Sequence, residues 1–133
     1  MLTELTIKDF ISKVISNDPV PGGGSVSALN GALAAALSAM VANLTVGRKK
    51  YVEVNDLMQE LSARFEKLSQ KLIEDVDRDS DAYNRVFAAF KLPKETDEEK
   101  QVRSEAIQRE TKYAAQVPME VARAVYEVLP QID

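Results

Sequence analysis

The stretch VEVNDLMQELSARFEKLSQKLIEDVDRDSDAYNRVFAAF, residues 52–90, contains neither proline nor glycine. Within it Val54, Leu57, Leu61, Phe65, Leu68, Leu72, Val76, Tyr83, Val86 and Phe90 step by threes and fours, with one gap between Val76 and Tyr83. That spacing gathers the apolar side chains on one stripe of an α-helix, about 55 Å long at the helical rise of about 1.5 Å per residue. A chain of 133 residues cannot wrap such a rod by itself. The stretch therefore predicts an all-α fold, a bundle of long antiparallel helices, and a homodimer formed along the rod.

Toward the N-terminus the rod is preceded by Gly47, a helix stop, and the basic run Arg48-Lys49-Lys50. Before that, from Ser25 or Val26 to Val46, alanines recur at 28, 32, 34, 35, 36, 39 and 42, with Gly31 among them. Alanine favours the helix, and small side chains let another backbone come close. Leu29, Leu33, Leu37, Met40, Val41 and Leu44 occupy the rest of the cylinder, so this reads as a central helix covered all round. Its most apolar run, Ala32 to Val46, is short and interrupted by Ser38, Asn43 and Thr45, which argues against a membrane span. Pro19-Val20-Pro21-Gly22-Gly23-Gly24-Ser25 cannot continue a helix and reads as a loop. Thr6 and Asp9 open a short first helix with an apolar stripe of Ile7, Phe10, Ile11, Val14 and Ile15.

Beyond the rod, Leu92-Pro93-Lys94 ends it, and Thr96 with Glu99 forms a capping box for a new helix. Pro118 is expected to break or kink that helix, which resumes from Met119 to Leu129. No strand and no internal repeat is called for, and the length suits one domain over residues 1–133.

Composition narrows the chemistry. The chain is 45% apolar and 29% charged, the balance of a folded, soluble protein. Acids outnumber bases, 21 to 17, which gives a net charge of −4 and argues against nucleic acid as a partner. There is no Cys and no His. Thiol nucleophiles, disulfides, cysteine–histidine zinc sites and histidine acid–base catalysis are thereby excluded, leaving Asp, Glu, Lys or Tyr as any acid or base. Met1 to Phe10 lacks a signal peptide's apolar stretch, so a cytoplasmic location is expected, with neither membrane nor metal involved.

Three features invite a functional reading. Asp79 falls in the rod's gap, three residues after Val76 and four before Tyr83, and should face inward. A buried carboxyl group there is either a proton-transfer group or half of a structural salt bridge to an arginine on a neighbouring helix. Asp77 and Asp81, four apart, fit a solvated face. The glycines before Ser25 would expose backbone N–H groups to an anion or polar ring at a helix N-terminus, or would merely allow close packing. Arg48, Lys49 and Lys50 would complement a helix dipole, or hold a polyanionic tail. Ser25 has no histidine to act as its base, so a serine nucleophile is a poor reading.

Taken in order, Pro21-Gly22-Gly23-Gly24-Ser25-Val26-Ser27-Ala28, Gly31-Ala32, Met40-Val41 and Leu44-Thr45-Val46-Gly47-Arg48-Lys49-Lys50-Tyr51 resemble the cyclodeaminase/cyclohydrolase family. Asp79-Ser80-Asp81-Ala82-Tyr83, Leu92-Pro93-Lys94 with the acidic cap and Arg103, and Val117-Pro118 extend the resemblance over nearly the whole chain. This is the family of the cyclodeaminase half of formiminotransferase-cyclodeaminase and of methenyltetrahydrofolate cyclohydrolase.

The resemblance implies a helical dimer acting on one-carbon derivatives of tetrahydrofolate, with no cofactor beyond that substrate. It makes Asp79 the foremost catalytic candidate and Asp77 the second. It places Gly22, Gly23, Gly24 and Ser25 at the pterin, and Arg48 and Lys50 at the glutamate tail. It also implies that relatives continue for several dozen residues past a position like Asp133, so that residues 1–133 would be a cyclodeaminase-like domain without the family's C-terminal helices. The rival expectation is a catalytically inactive ligand-binding or assembly domain that retains the fold.

Overall fold

Helices form between the breakers in the sequence. The computed structural model describes residues 1–131 and contains α1 (Ile7–Ile15), α2 (Gly23–Thr45), α3 (Asn55–Phe90) and α4 (Asp97–Val128). Short 3-10 turns lie at Leu2–Glu4, Lys49–Val54 and Leu129–Gln131, and no strand occurs among the described residues. Thr6 caps α1 by accepting from the Asp9 N–H, and the Thr96/Glu99 capping box opens α4, both as the sequence suggests. α2 ends at Thr45, and Gly47 leaves it with a φ of 74°, a left-handed conformation that suits glycine. α3 is 36 residues long, close to 54 Å at about 1.5 Å per residue.

The boundaries differ from expectation in three places. Gly23 and Gly24 belong to the first turn of α2 rather than to a loop, with Gly22 as N-cap. The rod starts at Asn55, because residues 49–54 form a 3-10 turn with Tyr51 outside helical geometry. Pro118 does not break α4, which runs through it. A proline in mid-helix removes one N–H donor, and tertiary packing evidently outweighs that loss, since neighbouring Val117 is fully buried.

α2 and α3 run in opposite directions, as their hydrogen bonds show. The Ser25 hydroxyl reaches the Val76 carbonyl, Ser69 donates to the Ala32 carbonyl, and Ser62 donates to Asn43. Apart from Ser25, the buried residues of α2 are all alanines: Ala28, Ala32, Ala35, Ala39 and Ala42. Methyl-sized side chains bring the two backbones together, while Phe65, Leu72 and Val76 of α3 fill the core with Val121 and Val128 of α4. At Gly31 a Cβ would stand 3.1 Å from Leu72 Cδ1 and 3.2 Å from Val125 Cγ2, so this glycine sits where three helices meet.

The expectation that α2 is covered all round is overturned. Leu33, Leu37, Met40, Val41 and Leu44 are between 49% and 60% exposed. At about 100° per residue these positions centre almost opposite the alanine stripe, so a helix packed through its alanines must turn its leucines outward. Ile7, Ile11 and Ile15 of α1 are exposed as well, and only Phe10 of that helix is buried. α2 as formed is also longer than the apolar run suggested. By length and composition alone it is the one helix among the described residues that could cross a membrane.

Two buried acids tie α3 to α4. Asp75 pairs with Lys71 at 2.7 Å and with Arg78 at 3.1 Å, and Arg78 reaches Glu120 of α4. Glu110 of α4 lies between Arg109 at 2.8 Å and Arg85 of α3 at 2.7 Å. The Arg109 hydrogen bond, helped by Arg85 and opposed by desolvation, holds the Glu110 carboxyl below the usual carboxylate range.

Two outcomes follow for stability. Ala32→Leu should lower unfolding free energy by about 1–3 kcal/mol through overpacking, whereas Ala34→Leu on the exposed side should be nearly neutral in urea titrations. Because folding lowers the Glu110 pKa, its contribution is present above the ordinary value near 4.5 and is lost as pH falls through the lower native value. Glu110→Gln should therefore destabilise the protein at pH 7, with the difference from wild type closing in acid.

Candidate active site at the first turn of α2

Gly22, Gly23 and Gly24 bring the start of α2 against α3 without side chains. The N-cap makes no side-chain hydrogen bond, and the first turn contains no acid, so its backbone N–H groups have no carboxylate from their own helix. Across from them stands Asp79. A Cβ on Gly24 would overlap the Asp79 carboxyl carbon and both of its oxygens, so the carboxylate lies directly against the Gly24 Cα. Only glycine permits that approach. Ser25, fully buried, has its hydroxyl 2.9 Å from the Val76 carbonyl, 3.1 Å from Asp79 Oδ2 and 3.0 Å from the Ser80 hydroxyl. One hydroxyl donates one proton, so Ser25 serves Val76 or Asp79 while Ser80 is free to donate to Ser25.

Asp79 does face α2, as its place in the gap suggests, but it is half-buried rather than buried. The reason is local: the facing residues are glycines, which have no side chains to cover it. Gly23 and Gly24 open instead into a groove of about 540 Å³ between α2 and α4, walled by Pro118, Val121, Val125 and Tyr126. The salt-bridge alternative is not what forms, since no lysine or arginine pairs with Asp79 among the described residues. The buried acid with cationic partners is Asp75, one turn earlier.

The other candidates are dispersed. Asp77 accepts hydrogen bonds from the Leu2 N–H and, at 2.6 Å, from the Thr3 hydroxyl, which pins the N-terminal turn to α3. It also borders a separate hollow of about 660 Å³ with Ser80, Asp81, Tyr83 and Asn84. Arg48 and Lys50 are exposed beyond the far end of α2, where Arg48 Nε donates to the Leu44 carbonyl and Lys50 lies over the Tyr51 ring. From Gly23 to Thr45 the helix axis covers about 33 Å, so within one chain the basic run and the glycine turn do not meet.

Residues 6–133 match the sequence pattern of the Formiminotransferase-cyclodeaminase family. The chain belongs to that family. It is 42% identical to the methenyltetrahydrofolate cyclohydrolase of Methylorubrum extorquens, over 93% of this chain and 60% of that protein. It is 35% identical to the formimidoyltransferase-cyclodeaminase of Rattus norvegicus, over 99% of this chain and 24% of that protein. The crystal structure of formiminotetrahydrofolate cyclodeaminase from Thermotoga maritima superposes with a TM-score of 0.77 at 34% identity, covering 93% of this chain and 58% of that one. The chain thus spans at most three-fifths of the length of these family members.

Within this family member, Ser25 and Ser80 are the residues whose part the sequence reading did not foresee. Ser25, placed at the pterin by the resemblance, turns inward and holds Asp79, and Ser80 is buried beside it. The signal was present: Leu72, Val76 and Ser80 step by fours, which sets the Ser80 hydroxyl on the buried line.

The contact of Gly24 with Asp79 is directly measurable. Gly→Ala inside a helix ordinarily gains about 0.5–1 kcal/mol. Here Gly24→Ala should instead destabilise the protein, and the loss should vanish in an Asp79→Ala background, giving a coupling of at least about 1 kcal/mol in a double-mutant cycle. Equal effects in the two backgrounds would show that the carboxylate does not rest on Gly24.

Proposed function

We propose that this chain carries out folate one-carbon chemistry at the first turn of α2. The substrate is a tetrahydrofolate derivative. The reaction is either loss of ammonia from 5-formiminotetrahydrofolate, closing the 5,10-methenyl ring, or addition of water to the methenyl bridge. Family membership supports the substrate class, and one observation carries the mechanism: a half-exposed carboxylate, held by Ser25 against Gly24, with no cationic partner among the described residues.

Such a group is free to move protons. In ring closure, N10 of the substrate attacks the formimino carbon, and Asp79 takes the N10 proton and returns one to the departing amine. In water addition, the same carboxylate takes a proton from the water that attacks the bridging carbon while the C=N π pair moves onto nitrogen. It returns the proton to the nitrogen whose C–N bond then opens to leave a formyl group. The open N–H groups of the first turn, strengthened by the helix dipole, suit the polar edge of a pteridine, and the groove beside Gly23 and Gly24 supplies an apolar wall. Asp77, the second candidate, already accepts from Leu2 and Thr3, so we assign it to anchoring rather than proton transfer. No cofactor beyond the folate substrate is needed, and we place the protein in the cytoplasm as an antiparallel helical bundle paired into a homodimer.

Asp79→Asn should lower turnover by at least about 100-fold, the usual size of a general acid–base contribution, while helicity and affinity for a reduced folate persist. Asp77→Asn should cost stability more than turnover. Formation or loss of methenyl absorbance with formimino and methenyl substrates reads both variants and separates the two reactions. Turnover by Asp79→Asn within a few-fold of wild type would remove this carboxylate from the mechanism.

A further inference from the structure

We propose that Ser25 and Ser80 form a proton relay that connects the Asp79 carboxylate to the hollow bordered by Asp77, Asp81 and Asn84. The direction of the proton traffic rests on the folate reading above, whereas the hydroxyl chain itself does not.

Three oxygens stand in hydrogen-bonded sequence. Ser25 Oγ lies 3.1 Å from Asp79 Oδ2 and 3.0 Å from Ser80 Oγ, and either hydroxyl can donate in the second contact. Both serines are buried, which shields their link from bulk water. On α3, Ser80 belongs to two lines at once. Leu72, Val76 and Ser80 face the core, while Asp77, Ser80, Asn84 and Phe87 run along the hollow of about 660 Å³. Polar walls and that volume suit water. The hollow shares no wall residue with the groove beside Gly23 and Gly24, so a ligand in that groove leaves it open.

A relay hydroxyl needs two acceptors, because it must turn between taking a proton and giving one. Ser25 has them: the Asp79 carboxylate and, at 2.9 Å, the Val76 carbonyl. With Asp79 ionised, Ser25 donates to it and Ser80 donates to Ser25. With Asp79 protonated, the carboxyl donates to Ser25, whose own proton turns to Val76 or to Ser80. A hydroxyl that only oriented Asp79 would need one acceptor.

The charged groups nearby are otherwise engaged or lie at the chain's outer end. Arg78 is held by Asp75 and Glu120, the first turn of α2 carries no charge, and Tyr126 is the titratable residue on the α4 wall of the groove. Asp77 accepts from Leu2 and Thr3, and Lys13, Asp18 and Asp81 border the hollow.

Both candidate reactions leave one proton to be moved. Water addition converts a methenyl cation and water into a neutral formyl compound. Once the nitrogen has been protonated, the carbinol hydroxyl still loses its proton as C=O forms and C–N breaks. Asp79 takes that proton and donates it to Ser25 Oγ, as Ser25 releases its own to Ser80 Oγ and Ser80 releases its own to water in the hollow. Each oxygen loses one proton as it gains one. Closing a neutral formimino group to the methenyl cation and ammonia takes up one proton, and the same hops run inward. A folate seated on the glycine turn covers Asp79, and the relay keeps the carboxylate in exchange with solvent.

Ser80→Ala cuts the relay while Ser25 still holds Asp79. In dilute buffer it should lower kcat about tenfold, a fraction of a full general acid–base contribution, with KM and the thermal melt unchanged. A small buffer such as imidazole, entering the hollow, should restore the rate, whereas wild type and Asp79→Asn should not respond to it. An unchanged rate, or a loss that buffer does not restore, overturns the relay.

The second arm needs no substrate. In carbon-13 spectra the Val76 carbonyl and the Ser80 Cβ should shift in step with titration of the Asp79 carboxyl, and both responses should shrink several-fold in Ser25→Ala. A Val76 carbonyl indifferent to Asp79 overturns the relay whatever the turnover. Wild type that follows this pattern but leaves formimino and methenyl substrates unchanged refutes the folate reading alone.

Discussion

The carboxylate of Asp79 resting on the Cα of Gly24 is the contact on which the rest of the site depends. It requires a residue without a side chain on α2, a start to α2 at that level of α3, and a hydroxyl at Ser25 to fix the orientation. Any larger residue at position 24 would occupy the space of the carboxylate. The three glycines therefore act less as a flexible loop than as a clearing at a helix N-terminus. Their missing side chains let the carboxylate approach the backbone of α2 and leave backbone N–H groups beside it.

That clearing exists because the alanine stripe sets the distance between α2 and α3. Five buried alanines, with Gly31 at the crossing of α4, bring the helices close enough for Ser25 to reach both the Val76 carbonyl and Asp79. The same packing has a consequence on the other side of α2. Using the small residues for the internal contact leaves the large ones unpaired, so the helix that builds the site also presents an exposed apolar face. Site and surface are two sides of one helix. The ion pairs of Asp75 and Glu110 hold α4 in register behind this pair without contributing a partner to Asp79.

Most of the helical order was legible in the sequence because its signals are local. The Thr96/Glu99 box, the Gly47 stop and the threes-and-fours period of the rod each act within a turn or two of themselves. What was illegible depends on which face of a helix finds a partner. Periodicity reports that α2 has two apolar faces but not that the alanine face is chosen, and it cannot tell Asp79 from Asp75 as the fully buried acid. Burial there depends on what the facing helix lacks: glycines opposite Asp79 leave it open, while Lys71 and Arg78 close over Asp75. The inward direction of Asp79 could be read from its spacing, whereas the inward turn of Ser25 needed the crossing of α2 over α3. Position 118 shows the opposite limit, since a strong local breaker yields to the burial of Val117 and Val121 around it.

The carboxylate at residue 79 is proposed to work on the one-carbon unit of a folate seated on the glycine turn. A crystal structure of the protein with a bound 5,10-methenyltetrahydrofolate analogue tests it most directly. The bridging carbon should lie within van der Waals reach of the Asp79 carboxylate, with the pteridine edge on the N–H groups of Gly23 and Gly24. A ligand bound elsewhere, with Asp79 still seated on Gly24 and Ser25 and no substrate atom near it, would remove the carboxylate from the reaction.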